Sequence, residues 1–333
     1  MIEFNTKNIK RWMMMDTRNA FGYFLTEIAT DHPELFALTA DFTKSTGLAK
    51  YKEQFPNQFL STGIAEQNMI AIASGLSSEG YNVFASSFAS FVTTRCYEQI
   101  KVNLGYMRHN VKIVGIASGL GVSHQGNTHF GLEDVSLMRS IPNMTIVVPS
   151  DCTEVAKATL ALAEMEGPAY LRLVGEGFIP IVNDDDYEFV IGKAIKKRDG
   201  KDILIIANGT MVNQSLKVAK ELSEQNSIEA TVINMHTVKP LDTQIIDDNI
   251  ASKKLIVTIE EGQINGGLGS AVADFVASVG KAPKMLRLGV KDIFPHAGSY
   301  QYLLGQCGLD VESIKNVIIS AIKDNYGNIR KSN

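Results

Sequence analysis

Cysteine is scarce in this chain. Only Cys96, Cys152 and Cys307 occur in 333 residues, with no paired spacing, so neither a disulfide framework nor a cysteine metal cluster is expected. A reducing cytoplasm fits that usage. Positive charge is not in excess either: 32 Lys plus Arg stand against 36 Asp plus Glu, for a formal net charge of −4. No global positive field exists to hold a polyanion, which argues against nucleic acid as a partner. No stretch approaches the roughly 18 uncharged apolar residues that a membrane-spanning helix needs. Met1 to Asp16 mixes Lys7, Lys10 and Arg11 with Trp12 and the run Met13 to Met15, but no apolar core of signal-peptide length follows the basic residues. Neither export nor membrane insertion is signalled. Short internal repeats and extended low-complexity segments are also lacking.

What is present is ordinary globular composition, 45% hydrophobic and 20% charged, in a chain about twice the roughly 150 residues of a typical domain. Two domains are expected. Short β-branched runs at 36–40, 83–85, 112–116, 145–148, 203–207, 231–234 and 255–259 read as strands. Between them, helical periodicity runs from Arg18 to Thr30, Glu66 to Glu79, Phe91 to Leu104, Thr153 to Glu166, Met211 to Glu224, Gly269 to Val279 and Val311 to Asp324. The alternation predicts an α/β protein of two domains, each a mostly parallel sheet flanked by helices. Gly175 to Asp186 combines glycine, proline and a short acidic run, which places a linker near 176–200 and domains at 16–180 and 190–325.

Three clusters in the first domain could carry chemistry. The first, Ser61-Thr-Gly-Ile-Ala-Glu-Gln-Asn-Met69, puts Glu66 in the first turn of a predicted apolar helix, where an acid alone reads as a cap. The second, Ser86 to Gln99, carries Phe88 and Phe91 three residues apart, next to hydroxyl side chains; such a pair is more often core than ring-binding shelf. The third, Gly119 to Gly131, is a glycine-rich loop after a strand and contains His124 and His129. Loops at the carboxyl ends of parallel strands are where open α/β sheets bind ligands. No third ligand at a recognised spacing accompanies the histidines, so no metal site is expected in this chain. Gly266-Gly-Leu-Gly269 lacks dinucleotide spacing and follows Glu260-Glu261, which would repel a pyrophosphate.

The motif order is more specific than any one cluster. Gly63-Ile-Ala-Glu-Gln-Asn, then Phe88-x-x-Phe91 with Arg95-x-Tyr-Glu-Gln, then Gly-Asn-Thr-His129 and Ile141-Pro-Asn-Met-Thr-Ile-Val-Val-Pro-Ser-Asp151 together resemble the pyrimidine-binding domain of transketolase-type, thiamine-diphosphate-dependent enzymes. The remainder, through Glu260-Glu261-Gly and Gly266-Gly-Leu-Gly-Ser-Ala, is similar to their C-terminal domain, and the resemblance spans roughly residues 16 to 325. It implies catalysis at an interface: one domain holds the cofactor's diphosphate through Mg²⁺ (or Ca²⁺), another its aminopyrimidine. The diphosphate domain carries Gly-Asp-Gly, which occurs nowhere in this chain. The resemblance is therefore to the small subunit of a split transketolase, with a separate Gly-Asp-Gly subunit as partner, a heterotetramer as assembly and small sugars as substrates.

By resemblance, Glu66 hydrogen-bonds the pyrimidine ring nitrogen, a proton-relay task that needs a carboxyl group sheltered from bulk water. The cofactor itself is the electron sink. Phe91 matches the aromatic that stacks on the pyrimidine, Phe88 a wall of the same pocket and Asp41 an acid near the cofactor. His129 matches a histidine near the donor's reacting carbonyl, where imidazole can move protons near neutral pH. Arg18 and Ser45 match residues that hold an acceptor's phosphate. Departures bear on the substrate: His124-Gln125 stand where sugar-phosphate transketolases have an acid, and they are assigned to substrate contact. Ala117 replaces a histidine, and the position of a phosphate-binding arginine falls at Gly175, with Arg172 nearby. Two of four phosphate contacts are thus missing, which implies that one substrate is not a simple sugar phosphate but a nucleotide-linked sugar or a small aldehyde. His296 is expected on a surface or interface loop, and the C-terminal domain chiefly in subunit association.

Two other readings stand beside the two-carbon transferase. One is the β subunit of a 2-oxoacid dehydrogenase, against which Gly126-Asn-Thr-His and Arg-x-Tyr-Glu-Gln weigh. The other is a non-catalytic assembly subunit, against which the presence of Glu66, Phe91 and His129 weighs.

Overall fold

The computed structural model describes residues 2–174, 179–180, 182–280 and 282–329. Twelve strands are found among them: β1 Leu35–Thr39, β2 Phe59–Ser61, β3 Asn82–Phe88, β4 Val111–Ser118, β5 Thr145–Val147, β6 Ala169–Val174, β7 Ile195–Arg198, β8 Ile203–Ala207, β9 Ala230–Asn234, β10 Thr237–Lys239, β11 Leu255–Gln263 and β12 Lys284–Val290. They form a seven-stranded sheet in the order β10-β5-β6-β4-β3-β1-β2 and a five-stranded sheet in the order β12-β11-β8-β9-β7. Every pairing is parallel except β10 with β5 and β7 with β9. Helices flank both sheets, and the α/β architecture expected from the alternation is the one observed.

Two expectations need adjustment. The predicted linker contains β7, which closes one edge of the second sheet. β10, from the second half of the chain, leaves that sheet and adds an antiparallel edge to the first. Both are three- or four-residue edge strands, too short to show a period.

The central strands are buried on both faces, as near-continuous apolar runs in parallel sheets require. β1, β3, β4, β6, β8 and β9 are buried along their whole length. Helix Thr17–Ala29 starts where Asp16 accepts from the Asn19 amide, and Cys152–Glu164 starts where Asp151 accepts from the Glu154 amide; each satisfies an amide that the first helical turn leaves open. Lys112 is a charged residue inside β4. Its ammonium donates to the carbonyls of Met165 and Gly167 and to Asn110, and burial pushes its pKa down to about 7.

One buried ion pair ties the two halves together. Arg172 on β6 donates through Nε to Asp134 at 2.6 Å and through Nη2 to the carbonyls of Gly131 at 3.0 Å and Glu261 at 2.8 Å. Tyr170 donates to the same Asp134 oxygen at 2.7 Å. A side chain at Gly115 would collide with the Tyr170 ring, so the neighbouring strand gives way there.

Removing one partner of a buried pair strands the other charge. Asp134→Ala is expected to destabilise the protein by about 3–5 kcal/mol, read as a lowered midpoint in urea denaturation followed by circular dichroism; a midpoint within error of wild type would show that Arg172 finds other compensation.

Candidate functional site at the carboxyl edge of the first sheet

Strands β4, β3, β1 and β2 are neighbours and run parallel, so the segments leaving their carboxyl ends gather on one edge. Those segments carry Asp41 and Phe42 after β1, Gly63 to Glu66 after β2, Phe88 to Arg95 at the end of β3, and Ala117 to His129 at the end of β4 and beyond it. All three chemistry-bearing clusters of the sequence therefore meet.

Glu66 opens helix Glu66–Ser78 and is 2% exposed. It does not serve as a cap. Oε2 accepts from Arg95 Nη1 at 2.7 Å, and Oε1 is buried without a hydrogen-bond partner among the described residues. Arg95 lies across the Phe91 ring, its guanidinium carbon 4.6 Å from the ring centroid, a cation–π placement. Phe91 and Phe88 stack with centroids 5.7 Å apart, and Phe42 stacks on Phe88 at 4.6 Å. The His129 ring meets Phe91 edge-on at 5.2 Å and Phe88 at 6.1 Å. Glu66, Arg95, Phe91, Phe88, Phe42 and His129 are thus one contiguous group.

The segment after β3 is not the regular α-helix that 91–104 predicts. Phe88 is the last residue of β3, and π-helical turns span Phe91–Arg95 and Ile100–Tyr106 around a short α turn. Thr93 and Thr94 each donate a side-chain hydroxyl to the carbonyl four residues back, those of Ala89 and Ser90. Such bonds compete with the regular helical ladder, and wide π turns recur at functional sites.

His129 sits on a loop fixed at both ends. At its start, the Leu120 amide donates to Glu261 Oε1 at 2.8 Å; at its end, the Gly131 carbonyl accepts from Arg172. Glu261 is 2% exposed and also accepts from Thr210 at 2.6 Å and Tyr300 at 2.5 Å. Burial raises its pKa above the usual carboxylate range, opposed by these donors. Mid-loop, Asn127 donates to the Pro295 carbonyl at 2.7 Å. His296, next to Pro295, is exposed, on a segment that packs against the His129 loop. Neighbouring Glu260 accepts from the Leu268 and Gly269 amides, both at 2.7 Å, and so caps helix Leu268–Ser278 while burial pushes it up to about 7. A side chain at Gly267 would overlap that carboxylate. The Gly266-Gly-Leu-Gly run thus serves a close approach of helix and carboxylate.

The remaining sequence-predicted residues are placed less centrally. Asp41 is exposed, in the left-handed region at φ 63°. Arg18 lies 3.5 Å from Asp16, and its Nε is buried with no partner among the described residues. A side chain at Gly47 would overlap the Arg18 carbonyl, so the segment that carries Ser45 packs on the start of helix Thr17–Ala29. His124 and Gln125 are exposed on a 3₁₀ turn, Ser123–Gln125, with no hydrogen bond or ring contact to Glu66 or the phenylalanines. Ala117 is buried at φ 54°. Gly175 lies outside the described residues, while Arg172 is fully committed to the interior. Phe42, Glu261 and Tyr300 join the site without a sequence signal for that role; Phe42 directly follows Asp41, whereas nothing local marks the other two. Among the described residues, no group of three His, Cys, Asp or Glu is placed to hold a metal ion.

Residues 13–174 match the transketolase pyrimidine-binding domain family and residues 192–314 the transketolase C-terminal domain family. The chain is 35% identical over 311 residues to the 6-deoxy-6-sulfo-D-fructose transketolase subunit SqwH of Clostridium sp. (strain MSTE9), covering 93% of this chain and 94% of that one. The chain belongs to the transketolase family. It is also 34% identical over 312 residues to one subunit of the apulose-4-phosphate transketolase of Phocaeicola vulgatus, covering 93% and 98% of the two chains. A solved split-gene transketolase, described as an inactive β4 tetramer, superposes with a TM-score of 0.86 at 36% identity over 93% of this chain and 99% of its own. Transketolases use thiamine diphosphate, and the site fits its aminopyrimidine half: a flat ring has aromatic walls to stack on, and the free Glu66 oxygen can serve a ring nitrogen.

The pinned loop gives a stability test. Gly119 has φ 66° and a side chain there would overlap the Glu261 carboxylate, whereas Gly80 has φ 93° and open space. Gly80→Ala should cost about 1 kcal/mol from backbone strain alone. Gly119→Ala should cost clearly more, in paired urea titrations; equal losses would mean that Glu261 moves freely.

Proposed function

We propose that this chain is the pyrimidine-binding subunit of a split, thiamine-diphosphate-dependent transketolase, which transfers a two-carbon ketol unit from a ketose-type donor to an aldehyde or sugar acceptor. A second chain with the Gly-Asp-Gly motif supplies Mg²⁺ and diphosphate binding. The observation that carries the reading is the buried Glu66 carboxylate, with one oxygen free, in the group that includes Phe91. An unsatisfied buried carboxylate oxygen is costly unless a ligand completes it.

Thiamine diphosphate, when bound, supplies the electron sink for breaking and making the carbon–carbon bond. Glu66 holds a proton between Oε1 and the pyrimidine nitrogen, Phe91 and Phe88 orient the ring, and Asp41 stands at the cofactor's edge. His129 faces the donor near its reacting carbonyl and moves a proton there. Arg18, with its free Nε, and Ser45 receive the acceptor's anionic group, while His124 and Gln125 contact substrate from their exposed turn. In this division of labour residues 16–180 hold the pyrimidine, and residues 190–325 fix the His129 loop and serve assembly.

The need for a partner is supported by the lack of Gly-Asp-Gly in this sequence, by the naming of both relatives as subunits and by the inactive β4 state of the split-gene homologue. Those relatives are named for a sulfonated deoxy sugar and for apulose 4-phosphate. With Arg172 spent inside the protein, we extend the reading to a donor or acceptor other than the common sugar phosphates. Comparable turnover of the assembled enzyme on ordinary ketose phosphates would sink that extension.

The chain alone should show no ketol transfer, and activity should appear on mixing with the Gly-Asp-Gly chain, thiamine diphosphate and Mg²⁺. In that mixture Glu66→Ala should lower kcat by about 10²–10⁴-fold, the range of a lost acid–base group. Unchanged turnover would favour the non-catalytic assembly reading.

A further inference from the structure

Arg95 is the one hydrogen-bond partner of the Glu66 carboxylate among the described residues, and its position is itself constrained. Its guanidinium rests on Phe91, and its backbone carbonyl accepts from Gln67 Nε2 at 3.0 Å, so the helix that carries Glu66 also grips the turn that carries Arg95. The pair is asymmetric in exposure: the Glu66 side chain is 2% exposed and that of Arg95 47%.

We propose that Arg95 is a positioning residue: it occupies Oε2, holds the Glu66 carboxylate as an anion and reserves Oε1 for the cofactor's ring nitrogen, so that cofactor binding takes up one proton from solution. The proposal rests on the functional reading above. A guanidinium within hydrogen-bond reach favours the ionised carboxylate, and an ionised carboxylate only accepts. The ring nitrogen of a neutral aminopyrimidine also only accepts. Two acceptors cannot hydrogen-bond until a proton is placed between them.

No neighbour is poised to supply it. Of the elements packed against helix Glu66–Ser78, β1 and β3 contain no titratable side chain. The first π turn offers Arg95, and next to it Cys96, whose thiol burial pushes up to about 12. Tyr97 and Glu98 lie on the short α turn, Lys101 and Tyr106 on the second π turn and Lys112 on β4. Outside those elements, the His109 ring bonds Ser74 and Ser78 on the later turns of the helix, and the His129 ring faces Phe91 and Phe88. Arg95 apart, none of these groups is hydrogen-bonded to the Glu66 carboxylate. The proton therefore comes from water.

Proton uptake can be measured without turnover. Thiamine diphosphate with Mg²⁺ is titrated calorimetrically into the assembled two-chain complex, in buffers of different ionisation enthalpy, between pH 7.5 and 8.5, where a phosphate with a second pKa of about 6 no longer titrates. Wild type should take up about one proton per cofactor, with Kd rising about tenfold per pH unit. Glu66→Gln brings its own N–H donor, so its uptake should fall to about zero and its Kd should be flat with pH. Arg95→Met should take up clearly less than wild type, because an unpaired buried carboxyl carries its own proton, and Arg95→Lys should restore the uptake. Wild-type binding without uptake, or an Arg95→Met uptake equal to wild type, overturns this proposal and leaves the functional reading intact. A complex that does not bind the cofactor at all overturns both.

Discussion

The buried guanidinium of Arg172 is the constraint on which the site depends. A charge removed from water must have its partners in place, or the fold loses several kcal/mol. Its partners here come from different parts of the chain: the Asp134 carboxylate, the Gly131 carbonyl that ends the His129 loop, and the Glu261 carbonyl near the end of the second sheet's β11. Satisfying one side chain thus fixes a strand, a loop and the opposite half of the protein together. Glu261 repeats the device with opposite sign, since its carboxylate accepts from Leu120 at the other end of the loop. The interval from Leu120 to Gly131 is held at both termini, and the His129 ring is delivered to the phenylalanines from a fixed base.

The contrast between Glu66 and Glu260 shows where the protein departs from its own rule. Both are buried glutamates next to helix N-termini. Glu260 is satisfied by two backbone amides, and glycine at 267 lets the helix come close enough to provide them. Glu66 has a single donor and one empty oxygen. Most buried polar atoms find a partner and a carboxylate oxygen is among the costliest to leave without one, so this oxygen at the carboxyl edge of a parallel sheet is a candidate ligand contact. Arg18 Nε is likewise buried without a partner among the described residues, as are neutral side-chain atoms such as those of Thr39, Ser87 and Ser90. On the proposed reading, the carboxylate meets the cofactor and the guanidinium the acceptor's anionic group.

How much of this can be read from sequence follows from the range of each interaction. Long apolar strands and the helices between them declare themselves through period, which is local, and β8 and Glu66–Ser78 are legible for that reason. β6 escapes such a reading because Ala169-Tyr-Leu-Arg-Leu has a charge near its centre; only contacts with residues 134 and 261 make that arginine a core residue. β7 and β10 are edge strands whose pairing partners lie dozens of residues away. The regular helix expected over 91–104 is displaced by threonine hydroxyls that compete for backbone carbonyls. Glu66, Phe88, Phe91 and His129 are legible as candidates through motif order, and the structure does bring them together. Phe42 gives no signal of its own, since its stacking on Phe88 requires β1 and β3 to be neighbours. Arg95 is visible within its motif, but its grip on Glu66 is a tertiary fact.

An opening remains at this site, and its chemistry bears on why such an enzyme would be divided. Ile64, two residues before Glu66, is 78% exposed, and the Arg95 side chain is 47% exposed. A large aliphatic side chain held in water beside a buried carboxylate is unexplained within one chain. On the proposed reading, a second chain covers it. Excluding water there would also enclose the outer half of the Glu66 and Arg95 pair, and an ion pair strengthens as the effective dielectric around it falls. The same contact that completes the diphosphate site would then sharpen the geometry of the group that serves the pyrimidine. Assembly and catalytic competence would be coupled through one hydrogen bond at 2.7 Å, because the Arg95 side chain stays half open to water until a second chain covers it.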